Sequence, residues 1–251
     1  MSATNVTRSS CGGVPTPPAV VAVRPNSDVS VPPRRPHLAQ ILRKLTDCRT
    51  LFMCCDMQEK LKDKIPGFDE TIYITNRITH FCEMLGPKYC NVIATLQYPA
   101  GVGPLYHEIQ LPPGTPVFEK MQPSMLLPEV LPYLYGDAQR GILPVQQVVL
   151  WGHETHVCIM QTADELLRRG FRVAIATDAC AAQRRIDHEV ALMEMSKWEG
   201  LLLTDSLSVY TMIVPQEDAL WRKKITRLLH HGHVLRRPCE CSEDQALLPD
   251  D

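Results

Sequence analysis

"QQVVLWGHETHVCIMQTADELLRRGFRVAIATDAC", residues 146–180, decides the fold of this chain. Its opening, "QQVVLWG" (146–152), is a short apolar run with little polar alternation. That is the pattern of a strand buried on both faces. From about 156 to 169 the period changes. Ile159, Met160, Ala163, Leu166 and Leu167 recur at helical spacing, Thr155 fits the N-cap, and Gly170 fits the stop. "RVAIATDAC" (172–180) is a strand again. Strand, helix and strand in this span read as a parallel βαβ unit.

The alternation continues outward. "LFMCCD" (51–56), "YCNVIATLQ" (89–97), "TPVFEK" (115–120) and "LLLT" (201–204) are further strand runs. Helical segments fall at about 69–85, 124–135, 184–199 and 216–230. In the first, Ile74, Ile78, Phe81 and Leu85 follow three- and four-residue steps. Asp69 fits its start and Gly86-Pro87 its end. The expected architecture is α/β: a three-layer, doubly wound fold on a six-stranded parallel sheet.

The flanks differ from this core. Residues 1–46 are rich in Pro, Ser, Thr and Val without a period, and read as a disordered extension. Residues 47–235 form the folded domain, and 236–251 a disordered tail. Cys239 and Cys241 lie near His230, His231 and His233, but their spacing matches no common zinc finger. The tail therefore reads as solvated.

Composition narrows the function classes. The chain has 251 residues, 45% hydrophobic, with a formal net charge of -2. No apolar run reaches the roughly 18–20 residues of a membrane span. Neither a membrane nor a nucleic-acid partner is expected. The ten cysteines are scattered, which suits buried free thiols in a reducing compartment. A cytoplasmic location follows. A mitochondrial one is the alternative, because Asp28 is the sole acidic residue before Asp47.

Ligands of doubly wound sheets bind beyond the carboxyl ends of the strands. Asp56, Gln97, Lys120, Asp178, Thr204 and Asp205 stand at such ends, and residues 152–158 follow the fourth strand. Cys158 falls in the first turn of the next helix, where free backbone N–H groups and the helix dipole favour a thiolate. Those N–H groups also suit an oxyanion. A lysine in the same crevice lowers a thiol pKa, and an aspartate there can take and return its proton.

"HETH" (153–156) resembles a zinc-protease string but is one residue short. His153 and His156 straddle a strand-to-helix turn, with no third ligand apparent, so no metal is expected. Both are read as pocket-lining residues, with Gln97 and Tyr98. No G-x-G-x-x-G follows the first strand and no P-loop string occurs, so no cofactor is expected.

Three separated motifs, "CDMQEKL", "VFEKMQPS" and "GHETHVCIMQTADELLRRGF", together with "VAIATDAC", resemble the isochorismatase-like hydrolase superfamily over roughly 48–230. "CDMQEK" and "QYPAGVGP" are most similar to its isochorismatase domain-containing branch. The resemblance implies a six-stranded parallel sheet and an Asp–Lys–Cys triad of Asp56, Lys120 and Cys158. It also implies a cis peptide between His153 and Glu154, an oxyanion hole from the Glu154 and Cys158 amides, and a dimer or tetramer. Nicotinamidases of the superfamily carry an Asp-x-His metal cluster after the second strand. This chain has "LQYPAG" there, which departs from that pattern. Isochorismatase itself lacks the nucleophilic cysteine that this chain has at 158.

The expected function is a metal-independent cysteine hydrolase acting on a small amide or related carbonyl compound through a thioester. Two alternatives stand beside it: a catalytically weak interaction scaffold on the same fold, and an organelle-associated hydrolase or nuclease.

Overall fold

A computed structural model describes residues 42–215 and 217–231. Most of the N-terminal extension, the C-terminal tail, and His233, Cys239 and Cys241 lie outside the described residues.

Six apolar runs form strands: β1 (Thr50–Cys55), β2 (Cys90–Gln97), β3 (Val117–Lys120), β4 (Gln147–His153), β5 (Arg172–Ala181) and β6 (Leu201–Thr204). They make one sheet in the order β3-β2-β1-β4-β5-β6, parallel throughout. β1 and β4 are buried along their whole length, which explains their unbroken apolar pattern. The chain winds outward from β1 to β3, returns to the centre, and winds the other way from β4 to β6. Right-handed crossovers then put the β1–β2 and β4–β5 helices on opposite faces. The result is a three-layer doubly wound fold whose switch point lies between β1 and β4.

Helix α1 (Phe68–Leu85) joins β1 to β2 and buries Ile72, Ile78, Phe81 and Leu85 against the sheet. Its Phe81 ring meets Tyr210 of a later helix at 4.3 Å. α2 (Pro99–Val102) is one turn, and α3 (Leu131–Tyr135) precedes β4. α4 (Met160–Arg168), α5 (Arg185–Met195), α6 (Ser206–Ile213) and α7 (Ala219–His231) complete the order.

Several local expectations shift. The helix expected from 124 begins only at Leu131. Pro128 lacks a donor and biases Leu127 away from helix, whereas Pro132 falls in the first turn of α3, where its missing N–H has no intrahelical partner to lose. α6 is absent from the sequence reading. Asp205 caps it by accepting from Ser208 N at 2.8 Å. The folded core also reaches back beyond 47: Leu42 and Leu45 are buried, and Leu45 N donates to Ile213 O at 2.8 Å.

Gly152 fixes how closely the two central strands meet. It pairs with Cys55 at φ +124°. A Cβ built there would lie 2.1 Å from Cys55 O. Only glycine lets the end of β1 lie this close to the end of β4.

Candidate active site

The ends of β1, β2, β3 and the turn after β4 converge on one crevice. Lys120 ends β3 at the sheet edge, and its long stem spans the end of β2 to reach Asp56. Its Nζ lies 2.6 Å from Asp56 Oδ2, a close ion pair. It also donates to Gln97 Oε1 at 2.6 Å, Pro123 O at 2.9 Å, Gln122 O at 3.2 Å and Cys158 Sγ at 3.3 Å. An ammonium has three protons, so these acceptors share them. Both side chains of the pair are buried.

Asp56 leaves β1 at φ +49°, an uncommon conformation for a residue other than glycine. Asp56 N donates to Thr95 O at 3.1 Å, and Thr95 Oγ1 donates to Asp56 Oδ1 at 2.8 Å. Gln58, fully buried, fastens the next strand: it donates to Gln97 O and accepts from Gln97 N at 2.8 Å. That clamp holds Gln97 where its side chain meets Lys120. The sequence reading assigned no role to Thr95 or Gln58. The signal for Gln58 was its place in "CDMQEK", two residues beyond Asp56.

Cys158 stands in a π-helical turn, Thr155–Ile159, ahead of α4. The His153–Glu154 peptide before it is cis. Thr155 is not the cap: its hydroxyl contacts Ala181 O at 3.0 Å and His188 Nδ1 at 2.8 Å. The Glu154 carboxylate accepts from Gln183 N and Nε2, and both residues line the cavity beside Cys158.

The electrostatics separate two thiols. Cys158 is held below the ordinary thiol range, first by a hydrogen bond from Cys55 and then by the Lys120 charge; burial and Asp56 oppose this. Cys55 is pushed well up, by burial first and by the same hydrogen bond next. Burial pulls Lys120 down, but Cys55, Asp56 and Cys158 together outweigh it and its pKa rises. Donor atoms of Cys55, Asp56 and Cys158 lie within 4.8 Å of one another, a grouping that could in principle hold a cation. The Lys120 ammonium already sits against two of them, so a second positive charge there meets strong repulsion. His153 and His156 join no metal-capable group among the described residues.

A cavity of about 320 Å³ opens onto these groups. Asp56, Gln58, Gln97, His153, Val157 and Cys158 are among its lining residues. Tyr98 and His156 are not. The Tyr98 ring is half exposed and folds over Gly101, where an added Cβ would lie 2.4 Å from it. His153 is fully buried, and burial pushes its pKa down to about 3. Thr71 Oγ1 lies 2.7 Å from Phe68 O, to which it donates, and 3.0 Å from His153 Nε2. Nδ1 has no hydrogen-bond partner among the described residues.

The remaining strand-end carboxylates serve the fold. β5 bulges between its Ile175 and Cys180 pairings with β4. That displacement leaves Asp178 to accept from Ser206 N at 2.8 Å and Ser206 Oγ at 2.6 Å, tying down α6.

The family profile described as "Isochorismatase domain" matches residues 50–206. The chain belongs to the isochorismatase family. Isochorismatase domain-containing protein 1 of Salmo salar is 36% identical over 190 residues, covering 75% of this chain and 64% of that protein. The chain thus spans less than two thirds of that relative's length. A hypothetical protein from Trypanosoma cruzi is 36% identical with a TM-score of 0.70, over 76% of this chain and 95% of that one. A putative MAR1 ribonuclease from Leishmania major is 28% identical with a TM-score of 0.67, over the same shares.

Proposed function

We propose that this isochorismatase-family protein is a metal-independent cysteine hydrolase acting on a small amide or related carbonyl compound. The observation that carries the reading is the contact chain Cys158 Sγ–Lys120 Nζ–Asp56 Oδ2, 3.3 and 2.6 Å, at the floor of a cavity sized for a small molecule. Asp56 takes the Cys158 proton, and the thiolate attacks the carbonyl carbon. The Glu154 and Cys158 amides hold the tetrahedral oxyanion. Asp56 then protonates the leaving amine as the C–N bond breaks, and water hydrolyses the thioester. Lys120 stays charged throughout and keeps the thiolate accessible.

The test is hydrolysis of a panel of small amides by the parent, Cys158→Ala and Asp56→Asn. Parent turnover that both variants lose supports the reading. Equal turnover by all three sinks it. Light scattering on the same protein tests the proposed homo-oligomer, and a tagged full chain tests the cytoplasmic or mitochondrial location.

The ribonuclease designation of the Leishmania neighbour favours a second reading, RNA cleavage. Among the cavity-lining residues the basic side chain outside the triad is Lys64, a sparse footing for a phosphate backbone. Incubation with end-labelled RNA separates the two: cleavage lost in Cys158→Ala and Asp56→Asn moves the substrate class to RNA.

A further inference from the structure

Cys55 is a second thiol at the site, and the proposed mechanism leaves it unused. It ends β1, is fully buried, and its Sγ lies within 4.8 Å of both Cys158 Sγ and an Asp56 carboxylate oxygen. The placement is built in by the close approach of Cys55 to Gly152, which brings the end of β1 against the turn carrying Cys158. Cys54 precedes it in sequence, but successive strand residues project to opposite faces. Cys54 instead lies against Trp151 on the α1 side, where Trp151 Nε1 also donates to Thr75. Of the two adjacent cysteines, only Cys55 faces the nucleophile.

We infer that Cys55 is the resolving partner of Cys158, so that a hydroperoxide converts the pair to an intramolecular disulfide and switches the site off reversibly. The inference rests on the reading of Cys158 as a reactive thiolate. In the first step the Cys158 thiolate attacks one oxygen of hydrogen peroxide. The O–O bond breaks, hydroxide leaves and takes up a proton as water, and Cys158 becomes a sulfenic acid, oxidised by two electrons. In the second step the Cys55 sulfur attacks the Cys158 sulfur. The S–O bond breaks, and the Cys55 proton, relayed by Asp56, leaves with that hydroxide as a second water. The sum is two thiols plus peroxide giving one disulfide and two waters. An added dithiol reverses it by exchange.

The geometry suits this division of roles. Cys158 lines the cavity and meets the oxidant, whereas Cys55 lies behind it, out of solvent. The opposite shifts of the two thiols make Cys158 the one that reacts and Cys55 the one that waits as a thiol. With the two sulfurs within 4.8 Å, closure to the ~2.05 Å of a disulfide needs at most roughly 2–3 Å of sulfur travel.

The experiment uses the reduced full chain and its Cys55→Ser and Cys55→Ala variants, checked for folding by circular dichroism. Each is treated with hydrogen peroxide, with and without dimedone, and then mapped by non-reducing mass spectrometry. Fragment ions distinguish Cys55 from Cys54. The parent is expected to yield a Cys55–Cys158 linked peptide, and to regain iodoacetamide labelling of Cys158 after dithiothreitol. In both variants the sulfenic acid persists. As a share of oxidised Cys158, which discounts any slowing of the first step by loss of the Cys55 hydrogen bond, dimedone labelling rises at least about fivefold, and higher peroxide drives it to a sulfinic acid that dithiothreitol does not rescue. Two results overturn the inference while leaving the thiolate reading intact: equal dimedone labelling in parent and variants, or a Cys158 disulfide mapped to another cysteine. A Cys158 that resists peroxide in all three proteins overturns both.

Discussion

Gly152→Ala is the sharpest perturbation of the crevice. The new Cβ would lie 2.1 Å from Cys55 O, 2.8 Å from Cys55 N and 2.9 Å from Cys55 C. Heavy atoms rest at roughly 3.5 Å or more, so the strands must part by more than about 1 Å. Every clashing atom is backbone in the β1–β4 ladder, so no side chain can swing aside. Overpacking costs about 1–3 kcal/mol. An alanine held near φ +124° adds strain on the order of 1–3 kcal/mol. Together they set the expected loss at about 4 kcal/mol, or roughly 8–16 °C in Tm for a domain of this size. Gly67→Ala is the control. Gly67 also has positive φ, at +75°, but nothing lies within 4 Å of its Cβ position, so it carries strain alone. Urea unfolding of the two variants isolates the clash as their difference. If Gly152→Ala is no less stable than Gly67→Ala, the close approach is not a constraint and the reasoning fails. A second readout follows the site: parting these strands disturbs the 3.3 Å Lys120–Cys158 contact, so iodoacetamide should label Cys158 more slowly.

Lys120→Met leaves Asp56 buried without its partner, an expected loss of about 3–5 kcal/mol by urea unfolding. Cys158 then keeps the Cys55 hydrogen bond but loses the lysine charge, so its alkylation midpoint should move to higher pH; an unmoved midpoint contradicts the contact. His153 gives a signed pH dependence. The unfolded chain protonates it near 6.5 and the folded chain only near 3, because of burial. Between those values the unfolded state binds more protons, so this contribution is complete above 6.5 and is lost as pH falls toward 3. At about 1.36 kcal/mol per pH unit, the non-titrating His153→Leu should lose about 2 kcal/mol less than the parent between about pH 6.5 and 5; parallel stability curves would contradict the assignment. Asp178→Ala removes both contacts to Ser206 and should cost about 1–2 kcal/mol while leaving Cys158 alkylation unchanged. Slower alkylation would make Asp178 part of the site.

The parallel sheet was legible because burial on both faces leaves β1 and β4 free of polar alternation, and helical periods separate them. The filter at the strand ends was less selective. It picked out Asp56, Lys120 and Cys158 alongside Asp178 and Asp205, carboxylates of the same kind at equivalent places. A β-bulge and a helix cap decide between them, and both depend on register and backbone angle rather than residue type. Tyr98 and His156 were read as pocket residues by proximity in sequence. The direction of each side chain is set by local backbone, φ +37° at Tyr98 and a π-helical turn at His156, which residue type does not encode. Cys55 escaped because a buried thiol in an apolar strand is ordinary. Its significance comes only from a neighbour about a hundred residues later in the chain.

The charges of the crevice then constrain how protons move in the proposed cycle. Lys120 is held in its charged form by the anions it faces, so it is a fixed cation. Cys55 is held in its neutral form by burial, so it is a fixed donor. Asp56 and Cys158 are left to exchange the mobile proton, both in contact with the same ammonium. The ammonium favours whichever partner is anionic, so moving the proton between them costs less than either charge would in isolation. A general base and a nucleophile need that condition, and it depends on the two fixed groups as much as on the two that react.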